Sequence, residues 1–347
     1  MLIQLLFITI LSYVVVKLLI KYAHNFHLLD IPNERSHHCS VIPRGAGIGF
    51  ISATLLGLFV ADMSLFLTYW YIYAALLMIF TIGVLDDVFD TPPKAKFLVI
   101  FGAVLFLWLN GLTIDILGTW FGYEVVLPSF LALPFTMFAL AGFTNALNLI
   151  DGLDGLAGSI SIVILSTLGY IGYIHDDTMM VMLSTFTIAS LIGFLLLNYN
   201  PAKVFMGDSG SLSLGFIISI LSLMSIKYIH PIVILYIAAI PILDTLVVMI
   251  RRIRRGISPF SPDKTHLHHI LVKFIGDKDE NGAIINGTKR SVWFLILLQV
   301  IFSSVGIMLS EYIEKYNGFT PFLALVGFGI VFVLTYVIFT SMKKRMV

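Results

Sequence analysis

Long apolar runs constrain this chain more than any other feature of its sequence. They recur at about 18 to 22 residues, and at 1.5 Å per residue each is long enough as a helix to cross about 30 Å of hydrocarbon. Backbone polar groups within lipid have to bond to one another, so spanning segments are helices or closed barrels. The polar and apolar alternation of a barrel is absent. The expectation is an all-α polytopic membrane protein with about eleven transmembrane helices, near 2–21, 45–62, 67–85, 94–110, 128–147, 156–174, 179–197, 210–226, 231–250, 291–310 and 320–341. Only 12% of residues are charged, about half the share of a soluble domain. The first run, Leu2 to Ile20, is longer than a secretory h-region and lacks a positive start and a small-residue cleavage site. It is expected to stay as a membrane helix.

Charge selects an orientation. With the N-terminus outside, the loops at 22–44, 86–93, 148–155, 198–209 and 251–290 and the C-terminal tail lie inside. Counting Lys and Arg at span ends with their loops, 18 of the 21 fall on that side; Lys227 and Lys315 fall outside and Lys17 lies within the first span. Cytoplasmic loops carry such an excess, so the C-terminus is expected inside. The chain reads as a single membrane-embedded domain, 1–347, with 251–290 as its one long polar loop. The segment 111–127, with Gly118 and Gly122, reads as a small outside hairpin. Cys39 is the only cysteine, which excludes an internal disulfide and a multi-thiolate metal site.

The distinctive polar residues gather in the inside loops. Gly83-Val84-Leu85-Asp86-Asp87-Val88-Phe89-Asp90 closes the third span, and helical spacing puts Asp86 and Asp90 on one face with Asp87 beside them. Three carboxylates next to hydrocarbon need a cation or a basic partner; a solvated helix end is the bland alternative. Asn145, Asn148 and Asp151 then step by three along one face, with Asp154 beyond Gly152. Amide and carboxylate oxygens are hard ligands suited to Mg²⁺, and an Asp-Gly helix stop would need no such row. Downstream, Pro201 ends regular structure and Gly207 and Gly210 flank Asp208, where backbone amides are expected to approach a phosphate at a helix start. Asp208 could supply a second metal ligand or simply cap the helix.

In the long loop, Arg251, Arg252, Arg254 and Arg255 read equally well as topogenic charge. His266, His268 and His269 lie close enough to bind a transition metal, but without thiolates they suit hydrogen bonding to a diphosphate better. Loop one carries Pro32-Asn33-Glu34-Arg35-Ser36-His37, and Arg44 precedes a glycine-rich helix start that suits an anion. Glycines in a membrane helix equally permit close packing.

Taken together, Asp86 to Asp90, Asn145 to Gly155, Phe205-Met206-Gly207-Asp208-Ser209-Gly210-Ser211-Leu212 and His266-Leu267-His268-His269 resemble the polyprenyl-phosphate N-acetylhexosamine-1-phosphate transferases. These are relatives of the translocase of peptidoglycan synthesis, and the likeness runs from about Asp30 to His269. The wording around Pro32 and Pro43-Arg44-Gly45 is closer to the branch that initiates O-antigen. The resemblance implies transfer of a sugar 1-phosphate from a UDP-sugar to undecaprenyl phosphate with release of UMP, initiating a lipid-linked cell-envelope glycan such as O-antigen or teichoic acid. It implies that Asn148 and Asp208 contact Mg²⁺, or Mn²⁺ in its place. Phe205 would stack on uracil, Asp154 and Asn198 would bind the nucleoside, and Asp86, Asp87 and Lys96 would face the phosphates. Asp151 would organise the metal region, with His266, His268 and His269 on the diphosphate and Arg44 as a further anion contact. No nucleic acid is expected as a partner, and a homodimer is the candidate assembly.

Such chemistry asks for little proton transfer, because a phosphate monoester is mostly ionised at neutral pH. The obstacle is repulsion between two polyanions, which cations must screen. Direct attack by the lipid phosphate is favoured, with Asp86 positioning it or removing a residual proton; a phosphorylated aspartate is the two-step alternative. A transporter with an acidic mouth is the competing class, although its acids would be expected nearer the midplane.

Overall fold

The computed structural model describes residues 1–31, 41–258, 266–278, 284–316 and 318–345. The Pro32 to His38 wording, Cys39 and the stretch from Pro259 to Thr265 lie outside the described residues. Helices dominate: α1 (Leu2–Tyr22), α2 (Gly47–Ala61), α3 (Met63–Thr68), α4 (Trp70–Phe89), α5 (Pro93–Leu109), α6 (Ser129–Ile150), α7 (Leu156–Ile174), α8 (Thr178–Asn198), α9 (Gly207–Ser225), α10 (Ile232–Ile237), α11 (Ala239–Arg254), α12 (Leu267–Ile275), α13 (Gly287–Lys315) and α14 (Thr320–Arg345). Among the described residues eight of these, α1, α4, α6, α7, α8, α9, α13 and α14, are long and apolar enough to cross a membrane. The chain is a multi-pass helical membrane protein. Short two-stranded ribbons complete it: β1 (Leu29–Asp30) with β2 (Ile42–Pro43), β3 (Ile116–Trp120) with β4 (Tyr123–Val126), and β5 (Asp277–Lys278) with β6 (Ile284–Ile285). The β3–β4 ribbon is the hairpin expected at 111–127; its turn uses Phe121 and Gly122 at positive φ, the conformation that tight hairpins require.

Helix α9 lies at the centre. Of the residues in its most apolar window 83% are buried, against 11% in α14 and 17% in α1. Its side chains explain how neighbours come so close. Ser211, Ser213 and Ser219 return their hydroxyls to the carbonyls of Gly207, Ser209 and Gly215 at 2.7–3.0 Å, so they carry no unsatisfied polar group into the core. Glycines then let backbone meet backbone. A Cβ on Gly47 of α2 would lie 2.0 Å from the Gly210 nitrogen, one on Gly83 of α4 would lie 2.6 Å from the Asp208 carbonyl oxygen, and one on Gly215 would lie 2.8 Å from the Thr144 carbonyl oxygen of α6. Small residues at helix crossings do this where lipid offers no hydrophobic drive for association.

The run expected as one span at 231–250 is broken at Ala238 into α10 and α11. Pro241 has no N–H for the Ile237 carbonyl four residues back. The buried Gln299 of α13 repairs the gap: its Nε2 donates to the Ile237 carbonyl at 2.7 Å, and its Oε1 accepts from the Ile240 amide at 3.1 Å. The third span also differs. It extends to Phe89, which puts Asp86 and Asp87 inside the last turn of α4, and Asp90 closes the helix at φ 51°.

Candidate active site

The ends of α4, α6 and α8 and the starts of α5, α7 and α9 converge at one end of the bundle, with α12 against them. The Asp86, Asp87 and Asp90 carboxylates do not share one environment, contrary to their helical spacing, because each meets a different element. Asp86 accepts from Lys96 of α5 at 2.8 Å and from Thr91 at 2.7 Å. Asp87 is buried and accepts the backbone amides of Asp208 and Ser209 at 2.7 and 3.0 Å. Asp90 stands outside the helix, exposed, and pairs with Arg44 at 2.9 Å.

These amides change the expected role of the α9 start. The positive end of that helix, expected to receive a phosphate, is occupied by Asp87 from within the protein. An anion there is favoured by two orphan donors and the helix dipole. Gly207, at φ 71°, brings its Cα against the Asp87 carboxylate; a Cβ would come within 2.5 Å of Asp87 Oδ1. Asp87 thereby fixes where Asp208 points.

Asp208 is the hub. Its Oδ2 pairs with Lys96, which also holds Asp86, and its Oδ1 accepts from Asn148 Nδ2 at 3.0 Å. The same Nδ2 reaches Ser211 at 2.8 Å, so the Asn148 carbonyl oxygen is the atom left for a cation. Asp154 accepts from Asn200 Nδ2 and the Ala202 amide at 2.8 and 3.0 Å. Asn198 is buried with both polar atoms engaged, Oδ1 by the Gly155 amide and Nδ2 by the Val204 carbonyl. These two residues tie the loop after α6 to the loop after α8, so Asn198 shapes the site through that loop. Phe205 is placed by its backbone: its amide donates to the Pro43 carbonyl and its carbonyl accepts from the Ala46 amide.

Sequence reasoning passed over Asp244. It is a lone acid in the apolar run 231–250, and an ionisable group in such a run signals function by its cost in lipid. Asp244 accepts from His266 Nδ1 at 2.8 Å and from the Leu267 amide at 2.6 Å. His268 is buried against Gly152, where a Cβ would lie 2.4 Å from His268 Nε2, and the His268 and His269 ring centres are 4.1 Å apart. The acidic loop after α6 and the histidine motif, far apart in the chain, therefore touch.

Two cavities meet here. One, of about 610 Å³, is lined by Arg44, Asp86, Asp87, Asp154, Asn198, Phe205 and Asp208. The other, of about 460 Å³, combines Lys96, Arg252 and His266 with apolar Phe97, Ile100, Val248 and Met249. Asn148, Asp151, Gly152 and His269 line both. A cavity of about 630 Å³ at the other end, between the β3–β4 hairpin and residues 226–231, is as large, so volume does not select the site. The convergence of the polar residues does.

The donor set fits a hard divalent cation. Burial, followed by the negative charges of Asp208, Asp87 and Asp154, holds the Asp151 carboxyl well above the usual carboxylate range in the protein alone. A cation would relieve that repulsion. Among the described residues no three His, Cys, Asp or Glu side chains form a ready-made coordination group.

Residues 69–226 match the profile of glycosyl transferase family 4, which covers α4 to α9 and the carboxylates they carry. The chain is 32% identical to a Bacillus subtilis (strain 168) protein named as a probable undecaprenyl-phosphate N-acetylglucosaminyl 1-phosphate transferase, over 85% of this chain and 88% of that one. It is 30% identical to the undecaprenyl-phosphate alpha-N-acetylglucosaminyl 1-phosphate transferase of Escherichia coli O157:H7, over 90% of this chain and 84% of the relative. A protein of that name from Yersinia pestis is 33% identical over 73% and 72% of the two chains. Identity at this level, sustained across most of both chains and through the helices that build the site, means that the chain belongs to glycosyl transferase family 4.

Proposed function

We propose that this protein transfers N-acetylhexosamine 1-phosphate, or a related sugar 1-phosphate, from a UDP-sugar to undecaprenyl phosphate. UMP is released, and the product initiates a lipid-linked cell-envelope glycan such as O-antigen or teichoic acid. The observation that carries this reading is the pair of cavities that share Asn148, Asp151, Gly152 and His269 as lining: a polar one for a nucleotide sugar, and one with apolar walls and basic residues for a lipid phosphate.

Asn148 and Asp208 would hold Mg²⁺, or Mn²⁺ in its place, which when bound would screen the phosphates and stabilise the departing UMP. Lys96 neutralises Asp86 and Asp208 where a polyanion must approach. Asp86, oriented by Lys96 and Thr91, positions the lipid phosphate or takes a residual proton. Asp87 acts through the start of α9. Phe205 offers a ring to the uracil, Asp154 and Asn198 shape the nucleoside end, and Asp151 belongs to the metal region. His266, His268 and His269 face the diphosphate, and Arg44 guards the polar mouth.

Product analysis tests the reaction. If lipid phosphate attacks the β-phosphorus, the bond from that phosphorus to the bridging oxygen breaks, and the sugar keeps its own phosphate. Donor labelled at the β-phosphorus then delivers the label to lipid, whereas α-label is recovered in soluble UMP. UDP as the stoichiometric product, or intact donor, would overturn the reading.

We further propose that α2, α5 and the α10–α11 pair join the eight long helices to make eleven spans of a single transferase domain in the bacterial inner membrane. The N-terminus would lie outside and the site would face the cytoplasm. In a Cys39→Ser background, Glu124→Cys on the hairpin should react with an impermeant maleimide in intact cells, and Lys94→Cys, at the site end of α5, only after lysis. The reverse pattern would invert the topology.

A further inference from the structure

We propose that Asp244 is the positioning residue of the histidine motif: from α11 it holds His266 with Nδ1 protonated and fixes the start of α12, so that His266 presents its Nε2 edge to the cavity with apolar walls. The inference rests on the transferase reading and deepens it, by assigning what keeps this imidazole in the tautomer whose free Nε2 can take a residual proton from the lipid phosphate.

Asp244 is almost wholly buried, on a helix that apart from Thr245 is otherwise apolar from Ala239 to Ile250. An ionised carboxylate in such a place is costly unless its oxygens are satisfied. Both are. Oδ2 lies 2.8 Å from His266 Nδ1, and Oδ1 accepts the Leu267 amide at 2.6 Å. That amide opens α12 and is one of the donors a helix leaves without an internal partner. His268 Nδ1 is 3.7 Å from Oδ2, too far for a hydrogen bond, so His266 is the imidazole that Asp244 controls.

A carboxylate only accepts, so the ring nitrogen facing it carries the proton. The other nitrogen then carries the lone pair, so toward a phosphate it can only accept, and the partner it fits is the residual proton of a lipid P–OH. His266 lines the same cavity as Lys96 and Arg252, where a phosphate would meet all three. Asn at 244 is close in shape but offers one acceptor to two donors. Its NH₂ group must face either the Leu267 amide or His266 Nδ1, and in the second case the ring proton moves to Nε2.

The test uses full-length protein in nanodiscs labelled with ¹⁵N-histidine, the His266 signals being identified by their loss in His266→Gln. The wild-type ring should be protonated at Nδ1, and Asp244→Asn should shift it wholly or partly to the Nε2–H form. In turnover, Asp244→Asn should lose about 10- to 100-fold in kcat, the range for residues that orient a working imidazole, with KM for the UDP-sugar within about twofold. Added to His266→Gln it should cost no more than about twofold further, because residues that act as one unit are not additive. A wild-type His266 protonated only at Nε2 would overturn the proposal even if Asp244→Asn failed to fold. So would an unchanged tautomer in the variant, or losses that multiply. Failure of the transferase reading shows instead as absence of UMP from the wild-type protein, and leaves the tautomer measurement standing.

Discussion

Asp208→Asn should abolish most UMP release while leaving the protein inserted and folded. The side chain keeps its shape, and one oxygen can still accept from Asn148, so the packing at the start of α9 survives. What is lost is one negative charge at the residue that joins Lys96 and Asn148. Removing a charge where a cation is to be held weakens both cation binding and stabilisation of the leaving group, by several kcal/mol. At about 1.4 kcal/mol per tenfold, a loss of about 3 kcal/mol is on the order of 100-fold in rate. The measurement is Mg²⁺-dependent UMP release by purified variant, beside its melting temperature in detergent. Near-native turnover at saturating Mg²⁺ would take Asp208 out of the metal site.

The second large effect is structural. Gly47→Ala should destabilise the protein by about 3 kcal/mol or more, at or beyond the upper end of what overpacking a core typically costs. The added Cβ would lie 2.0 Å from the Gly210 nitrogen, 2.4 Å from its Cα and 2.4 Å from the Ser209 carbonyl carbon. All three are backbone atoms of the central helix, so no side chain can swing away; α2 and α9 have to part. Because Asp208 and Ser209 belong to the same turn, activity should fall with stability. Gly142→Ala is the control: it lies on α6 with nothing within 4 Å of the new Cβ, and alanine is the better helix former by about 1 kcal/mol. A melting temperature for Gly47→Ala equal to that of wild type would mean that the two helices do not touch at this point.

Several features of the site were legible without coordinates because they depend on what a residue type can do near lipid. Asp86, Asn148, Asp151 and Asp208 are polar groups at or near the ends of apolar runs, where each demands a partner wherever the chain folds, and the three histidines stand together in the one long polar loop. The partners were not legible. Helical spacing placed Asp86 and Asp90 together, but the close of α4 at Asp90 sends one to Lys96 and the other to Arg44. Spacing within one helix carries no information about what packs against it. The glycines beside Asp208 suggested a phosphate at the start of α9, and Asp87 from α4 took those amides instead. Asp244 and Gln299 were visible as isolated polar residues in apolar runs, yet their roles depend on a histidine 22 positions away in one case and a neighbouring helix in the other.

By itself, the sequence determined the class of the protein and the raw material of its chemistry. Apolar run length and the rule that backbone must satisfy itself in lipid leave only helices, and the repeated Asp, Asn, Gly and His words name the ligands and donors available. Only the tertiary structure decided which of them meet. Bringing Asp87 to α9, Lys96 between two aspartates, and Gly152 against His268 requires backbones to approach to contact at Gly47, Gly83 and Gly215. That is a property of helix packing, in which a few missing Cβ atoms set the distance between elements. It cannot be read from any one helix, because the short-range pattern is the same whether or not a neighbour comes that close.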